Sequence, residues 1–452
     1  ATYRTVLETF PSNLDASGRL EKIYRAGENW SELAELLYQR TEHLEDAFDR
    51  LQNLRTLARL AEGQIGDLEM AFGVIVQANE QVPDDLSTLE EAARLAEATG
   101  EWEEMVAVYD SSLESLEGDV ALDVALKAAT IVRDRLEDKA TAVSYFVRVL
   151  ELDDENEAAL RALVALNEAL ERWSEHVVAL SRLSEVAPDF AERIRLLEAV
   201  ADCHEVKLSD DAEAVTAWYA VLEADEMHKS ALSNLERLHQ VHQQWPELIK
   251  ILDRIADAQP DRMVELQLRV GAIYDDNLRQ DEKAIERFED VLSLQPDNLE
   301  ALERLEVLYG DRDDWEKLVD VFERSVDAHK ELEQRIDLAL KVATIQREIF
   351  KDGDAAADWY NRILTMAPGH GETISLLRAV YTDGEQWEEL VYLCERVHGW
   401  AETPDDKSTA LLEMAVIHQE RLEDVDSAIR AYERALEETP RHRGALDTLQ
   451  EL

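Results

Sequence analysis

Residue types that define several protein classes are scarce in this chain. Its 452 residues include only 2 Cys, 15 Gly and 9 Pro. Cys203 and Cys394 lie far apart and both fall in apolar helical patterns, so neither a disulfide framework nor zinc-ligand spacing is present. We expect two buried free thiols, which fits a reducing compartment, and we predict a cytoplasmic location.

Long hydrophobic runs and basic residues are also in short supply. No stretch approaches the roughly 18 apolar residues that cross a bilayer, so we predict no membrane insertion. The chain has 47 Lys and Arg against 100 Asp and Glu, for a formal net charge of −53. Such a surface repels phosphate backbones, which argues against nucleic acid and leaves a basic protein or peptide as a partner. The acidity could equally serve solubility, salt adaptation or a solvated face.

Strand-type alternation of β-branched residues is scarce as well. Apolar residues recur instead at helical spacing, as in LLEMAVIHQERL at residues 411–422. Few Gly and Pro suit long helices joined by short connections. The sequence therefore predicts an all-α fold.

A tryptophan column reveals an internal repeat. Six tryptophans recur at intervals of 70 to 72 residues, and each opens an amphipathic stretch such as WEELVYLC. They are Trp30, Trp102, Trp173, Trp245, Trp315 and Trp387. A column of small residues keeps the same period, at Ala58, Ala129, Ala201, Gly271, Ala343 and Ala415. We interpret both columns as structural packing positions.

Three further columns share this period. The aromatic column is Tyr3, Phe146, Trp218, Phe288, Tyr360 and Tyr432, with Ile75 in the gap. The acidic column is Asp67, Asp138, Asp210, Asp352 and Asp424, with Gln280 as the exception. The proline column is Pro11, Pro83, Pro296, Pro368 and Pro440. Each Asp precedes a predicted helix, where its side chain can cap free backbone amides.

The columns predict a unit of about 72 residues with four amphipathic helices. The units are 12–83, 84–155, 156–226, 227–296, 297–368 and 369–440, with partial units at 1–11 and 441–452. We therefore predict one continuous array over residues 1–452. Because both ends align with the interior of a unit and show no polar cap, we expect the chain to be an excerpt of a longer array.

The hairpin pattern resembles the tetratricopeptide repeat over essentially the whole chain. In that family a small residue on one helix packs against a second helix that carries an Ala, an aromatic four residues later and a closing Pro. Ala284, Phe288 and Pro296 match this pattern, as do Ala428, Tyr432 and Pro440. The resemblance implies a right-handed superhelical α-solenoid of stacked antiparallel helix pairs, with the small-residue helices lining the concave wall.

The resemblance also implies where a partner would bind. We call the residues one and four places after each small residue the inner-face positions. The candidates among them are Thr130, Arg133, Asp202, Glu205, Asp275, Thr344, Arg347 and Gln419. Some members of the family clamp a chaperone carboxylate with Lys, Asn and Arg, but the Lys and Asn of that set are missing here. The charges are mixed and lean acidic.

Motifs for catalysis or metal binding have simpler interpretations. His239 and His242 form an HxxH pair without accompanying carboxylates, and His239 falls in the column of Tyr24, Tyr309 and Tyr381, a position that packs. KDGDAAAD at residues 351–358 lacks the glycine and the ligands of a calcium loop, and a helix cap is the better interpretation. With no phosphate cradle or nucleophile motif, we predict no catalytic, metal or cofactor site.

Three functions fit these features. The first is a non-catalytic scaffold that binds a peptide or protein subunit on the surface of the solenoid. The second is a structural spacer or self-assembling subunit. The third is the recruitment region of a larger enzyme or signalling protein.

Overall fold

The computed structural model describes residues 2–451, which contain 26 α-helices and no strand. The helices are α1 (Thr2–Thr9), α2 (Leu14–Ala26), α3 (Trp30–His43), α4 (Ala47–Leu60), α5 (Leu68–Gln81), α6 (Leu86–Thr99), α7 (Trp102–Leu113), α8 (Gly118–Asp134), α9 (Lys139–Leu152), α10 (Glu157–Ala169), α11 (Trp173–Val186), α12 (Phe190–Cys203), α13 (Asp211–Ala224), α14 (Lys229–Val241), α15 (Trp245–Ala258), α16 (Met263–Ala272), α17 (Asp281–Leu294), α18 (Leu299–Asp311), α19 (Trp315–Ala328), α20 (Leu332–Glu348), α21 (Gly353–Met366), α22 (Gly371–Asp383), α23 (Trp387–Trp400), α24 (Pro404–Glu420), α25 (Val425–Glu438) and α26 (Arg443–Glu451). Short π-helical turns, Ala61–Ile65, His204–Leu208 and Ile273–Asn277, extend α4, α12 and α16. The all-α prediction is confirmed.

The chain divides into two units, one ending at Leu238 and the other beginning at His239. Within each unit the helices pack mainly against the helices that precede and follow them in the chain. Short loops between packed neighbours produce antiparallel helical hairpins, and each unit is an α-solenoid. Every predicted 72-residue unit contains four of the helices. Ala1 and Leu452, at the outer ends of the predicted partial units, lie outside the described residues.

The tryptophan column begins the second helix of alternate hairpins. Each of the six tryptophans is the first residue of its helix, and each side chain is half-buried. Three carry a cation over the indole face, from Arg135 to Trp102 at 5.0 Å, from Lys207 to Trp173 at 4.6 Å and from Arg421 to Trp387 at 4.8 Å. These side chains therefore combine partial burial with cation–π attraction.

The small-residue column is buried, and at Gly271 it contacts the aromatic column. Ala58, Ala129, Ala201, Gly271, Ala343 and Ala415 are all buried. Contact is closest at Gly271, where an added Cβ would lie 2.7 Å from Cε1 of Phe288. Since real Cβ atoms do not approach so closely, only glycine fits at this crossing.

The acidic column caps the helices that follow it. The side chains of Asp67, Asp138, Asp210, Asp352 and Asp424 each accept a hydrogen bond from a backbone amide three residues ahead. Gln280 makes no such bond to α17. The capping prediction is confirmed, including the helix-cap interpretation of the KDGDAAAD stretch.

Both cysteines and the HxxH pair have structural environments. Cys203 and Cys394 are buried free thiols, as predicted, and burial raises the pKa of Cys394 to about 12. His239 is buried and its Nδ1 donates to Oε1 of Gln244 at 2.6 Å, whereas His242 is exposed. Residues 2–451 contain no group of three or more potential metal ligands. No helix among them is long and apolar enough to cross a membrane.

Candidate partner-binding surface

The inner-face positions lie on, or directly after, the first helices of their hairpins. Thr130 and Arg133 are on α8, and Asp202 is on α12, with Glu205 in the turn that extends it. Asp275 lies in the turn after α16, Thr344 and Arg347 are on α20, and Gln419 is on α24. The small-residue register thus places them at equivalent points of alternate hairpins.

The uncharged members bond within the chain. The hydroxyls of Thr130 and Thr344 donate to the carbonyls four residues earlier, each at 2.8 Å. Oε1 of Gln419 accepts from the Tyr432 hydroxyl at 3.1 Å. Hydroxyls bonded to their own helix are satisfied without a partner.

The two arginines are neutralised by the residues that follow them. Arg133 donates to both carboxylate oxygens of Asp134 at 2.6 and 2.8 Å, and Arg347 donates to Glu348 at 2.9 and 2.7 Å. The Arg133 guanidinium also lies 5.5 Å from the ring centroid of Phe146. Neither arginine is therefore positioned as an unpaired clamp for a ligand carboxylate.

The acidic members differ in their partners. Glu205 accepts from Arg237 at 2.6 Å, and Asp275 accepts from Arg304 at 3.0 Å. Asp202 is exposed and has no hydrogen bond or ion pair to any residue that the structure describes. Partial burial of its carboxyl, together with neighbouring glutamate charges, raises the pKa of Asp202.

Across the described chain, no hydrogen bond or ion pair joins any two of these eight residues. Asp202 and Glu205 are neighbours on one turn and interact through charge alone. The inner-face positions are therefore separate points on the first helices. They do not form one polar site.

A cleft between α6 and α8 is a more continuous surface, which the sequence pattern missed. Its volume is about 390 Å³, and Leu86 and Val120 line it with side chains that are 44% and 37% exposed. The buried Tyr109 forms part of its wall. Burial, and secondarily the charge of Asp123, raises the pKa of Tyr109 to about 12, so the phenol is neutral at physiological pH.

The rim of this cleft is acidic. Asp123 pairs with Lys127 at 2.7 Å. Glu90 and Asp119 also line the cleft, and neither makes a hydrogen bond or ion pair within the part of the chain that is described. The sequence signal for this cleft was an apolar residue near the start of each of its two helices, Leu86 on α6 and Val120 on α8. Each helix also contributes an acidic residue, Glu90 or Asp119. The α6–α8 cleft therefore combines exposed apolar surface with unpaired negative charge.

The sequence model of the tetratricopeptide repeat family matches residues 410–444. This segment includes most of α24 and all of α25, with Ala415, Tyr432 and Pro440 of the repeat columns. The predicted resemblance is confirmed at this hairpin, whose sequence matches the tetratricopeptide repeat model. No curated protein matches the chain in sequence.

Three solved structures illustrate what the chain resembles. A structure of Naa15/Naa10 bound to HypK-THB aligns at 13% identity over 95% of this chain and 64% of that one, with a TM-score of 0.30. This chain thus spans less than two thirds of that protein. MamA aligns at 15% identity over 47% of this chain and 92% of its own, with a TM-score of 0.23. YrrB, described as a tetratricopeptide repeat protein with an unusual peptide-binding site, aligns at 17% identity over 43% and 96%, with a TM-score of 0.23.

Proposed function

We propose that this chain, which contains a tetratricopeptide repeat at residues 410–444, is a non-catalytic protein-interaction scaffold. Its partner is a basic peptide or protein subunit, which binds along the first helices of the hairpins. The observation that carries this proposal is the α6–α8 cleft, where the unpaired carboxylates of Glu90 and Asp119 flank exposed apolar side chains. A partner with Lys or Arg beside an apolar residue complements both features.

The charge of the whole chain supports the same partner chemistry. A formal net charge of −53 attracts a basic protein over distances of about 8–10 Å at physiological salt. Most of the inner-face charges are already paired within the chain, so they add little to binding. The contribution of charge is therefore expected to concentrate at the free carboxylates of the cleft.

The test is quantitative affinity capture from lysate of the source, with parallel low-salt and high-salt washes. The double variant Glu90→Lys with Asp119→Lys reverses the cleft charge. The matched control, Glu80→Lys with Glu223→Lys, makes the same change of net charge at two exposed residues on α5 and α13. We expect at least tenfold lower recovery of basic partners with the cleft variant and unchanged recovery with the control.

Other outcomes would redirect the proposal. Equal recovery with the cleft variant and the control would exclude the cleft as the binding surface. Recovery of the bait alone would favour the spacer or self-assembling subunit. Recovery of a parent protein with catalytic domains would favour a recruitment region of a larger enzyme or signalling protein.

A further inference from the structure

A second groove lies between the second helices α9 and α11, with α10 as its floor. We call it the α9–α11 groove. Its volume is about 480 Å³, and Val147, Leu150, Leu163 and Val178 provide much of its apolar lining. Val147 and Val178 are 45% and 59% exposed. An apolar cavity of about 150 Å³ already accommodates benzene, so this groove has room for an aromatic side chain and a neighbouring residue.

The corresponding positions of another hairpin junction explain why this groove is open. A residue of the second helix and the residue 20 places later form a recurring pair. In the α17–α19 junction this pair is Glu289 and Tyr309, and the tyrosine hydroxyl donates to the carboxylate at 2.6 Å. Lys317 of α19 donates to the same carboxylate at 3.2 Å. The tyrosine and the ion pair together link the three helices.

The α21–α23 junction is also linked by a buried tyrosine and a basic residue, through a different set of hydrogen bonds. Its pair is Asn361 and Tyr381, in which the asparagine amide donates to the tyrosine hydroxyl at 2.8 Å. Arg396 of α23 donates to Oδ1 of Asn361 at 2.6 Å. At the start of the chain, Arg4 donates to the hydroxyl of Tyr24. The buried tyrosine is thus the common element of these junctions.

In the α9–α11 junction both members of the pair are replaced. The positions are occupied by Val147 and Asn167, and Glu175 stands where the α17–α19 junction has its lysine. Valine and glutamate cannot form the ion pair, and asparagine is too short to replace the ring of a tyrosine. The Asn167 side chain lines the groove and is only 3% exposed. Its Oδ1 has no hydrogen-bond partner among the atoms described.

An unsatisfied buried acceptor is costly, and a ligand that supplies a donor recovers that cost. The rim of the groove adds a charge preference. Glu151 and Glu175 line it, and neither carboxylate has a hydrogen bond or ion pair in the described part of the chain. Arg182 also lines the groove and donates to the carbonyl of Asp154 at 2.7 Å, so the rim has two carboxylates against one guanidinium. The rim is therefore negative toward a ligand.

We propose that the α9–α11 groove binds a basic segment of the partner protein through a tyrosine side chain. The ring occupies the space that Tyr309 and Tyr381 fill in the α17–α19 and α21–α23 junctions, and the hydroxyl donates to Oδ1 of Asn167. Lysine or arginine residues next to the tyrosine pair with Glu151 and Glu175. This inference rests on the proposed scaffold function and assigns it a second contact surface, on the second helices.

The probe is a fluorescein-labelled heptapeptide, Lys-Lys-Leu-Tyr-Leu-Lys-Lys, titrated with the full chain at low salt and followed by fluorescence polarisation. Val178→Arg blocks the mouth of the groove at an exposed residue. Val307→Arg is the matched control, because Val307 has the same exposed fraction of 59%. We expect Val178→Arg to raise the Kd at least tenfold, and the control to leave it unchanged.

A self-filling variant provides an independent check. Val147→Glu with Asn167→Tyr and Glu175→Lys copies the α17–α19 combination and should also weaken binding at least tenfold. Replacing the peptide tyrosine with phenylalanine removes the donor and should weaken binding by a factor of about 2 to 10. A circular dichroism melt checks that each variant is folded.

Three results would overturn the inference. Binding that survives both groove variants but is lost with Glu90→Lys and Asp119→Lys would place the peptide in the α6–α8 cleft and leave the proposed function intact. Absence of saturable binding to the wild-type chain would exclude this ligand chemistry, while the capture experiment would still decide the scaffold function. If a groove variant changes the sedimentation coefficient of the chain measured without peptide, the groove is occupied by a second copy of this chain.

Discussion

Two equivalent regions of the chain use the same helical plan with different side chains. Residues 118–186 comprise α8–α11, and residues 263–328 comprise α16–α19. The first region has Ala129 in the small-residue column, a capping Asp138 and an open groove. The second has Gly271 in that column and Gln280 without a cap bond. Its junction is closed by Tyr309. The first region therefore has the helix cap that the second lacks, and the second has the junction tyrosine that the first lacks.

The two regions keep the same helices although each lacks a different stabilising residue. The first region lacks the junction tyrosine, and the second lacks the capping Asp. Stability in a solenoid is approximately a sum of terms within repeats and between neighbours. A repeat can then leave a groove unfilled for a partner without unfolding. The comparison predicts four effects of decreasing size.

Tyr309→Asn should have the largest effect, because it copies the open junction at a closed position. The side chain is only 5% exposed, and removing a buried aromatic ring costs about 3 kcal/mol. Hydrogen-exchange mass spectrometry should show faster exchange of the amides in residues 281–328. The reciprocal Asn167→Tyr should protect residues 139–186. Equal protection before and after both changes would mean that the tyrosine does not close the junction.

Gly271→Ala should destabilise the α16–α17 hairpin, although the same change in an ordinary helix interior stabilises by about 1 kcal/mol. The added Cβ would collide with the Phe288 ring, and overpacking of this kind costs about 1–3 kcal/mol. Urea denaturation measures the change. Phe288→Leu in the same chain should recover part of the loss. If Gly271→Ala stabilised the protein, α16 and α17 would be able to move apart without a loss of folding free energy.

Gln280→Asp should stabilise α17 by about 1 kcal/mol, because it supplies the N-cap bond found at the other members of the column. The Gln280 side chain accepts no hydrogen bond from α17 in the wild-type chain. In the other region, Asp138→Ala removes the bond to the amide of Thr141 and should weaken α9. The measurement is the urea midpoint of each variant. No gain from Gln280→Asp would mean that the backbone carbonyl of Gln280, which accepts from the amides of Lys283 and Ala284 at 3.1 Å, already satisfies this end of α17.

The smallest effect concerns pH. The hydrogen bond from Tyr309 and the ammonium of Lys317 hold the pKa of Glu289 below its usual range. A lowered folded-state pKa contributes stability above the ordinary value of about 4.3, and this stability is lost as the pH falls through the folded-state value. Wild type should therefore lose more stability than Glu289→Gln between about pH 6 and about pH 3.5. Parallel losses would show that this carboxylate is not coupled to folding.

Much of the fold followed from periodicity. The tryptophans mark where helices begin, the acidic column caps the helices that follow it, and the small residues lie where a second helix approaches. These features depend on chemistry within a turn or between adjacent helices, which a spacing in sequence records directly.

The candidate binding surfaces were harder to foresee. The inner-face register placed its residues on the first helices, but it could not show that Glu205 is paired with Arg237 while Glu90 is free. Partners of this kind are separated by about a hairpin in sequence, and their pairing depends on how far apart two helices lie. A single sequence shows which residue types are present, but it does not show the distances between side chains on neighbouring helices.

Residue order alone was sufficient for the all-α class, the helical hairpins and their caps, since each rests on contacts that are local in the chain. The open groove was decided by tertiary packing. Val147 and Asn167 are ordinary residues in sequence, and they leave a space only because α9 and α11 are held apart over α10 with no tyrosine between them. Whether a cavity exists depends on the volume that neighbouring helices enclose, and that volume is set by the packed helices together.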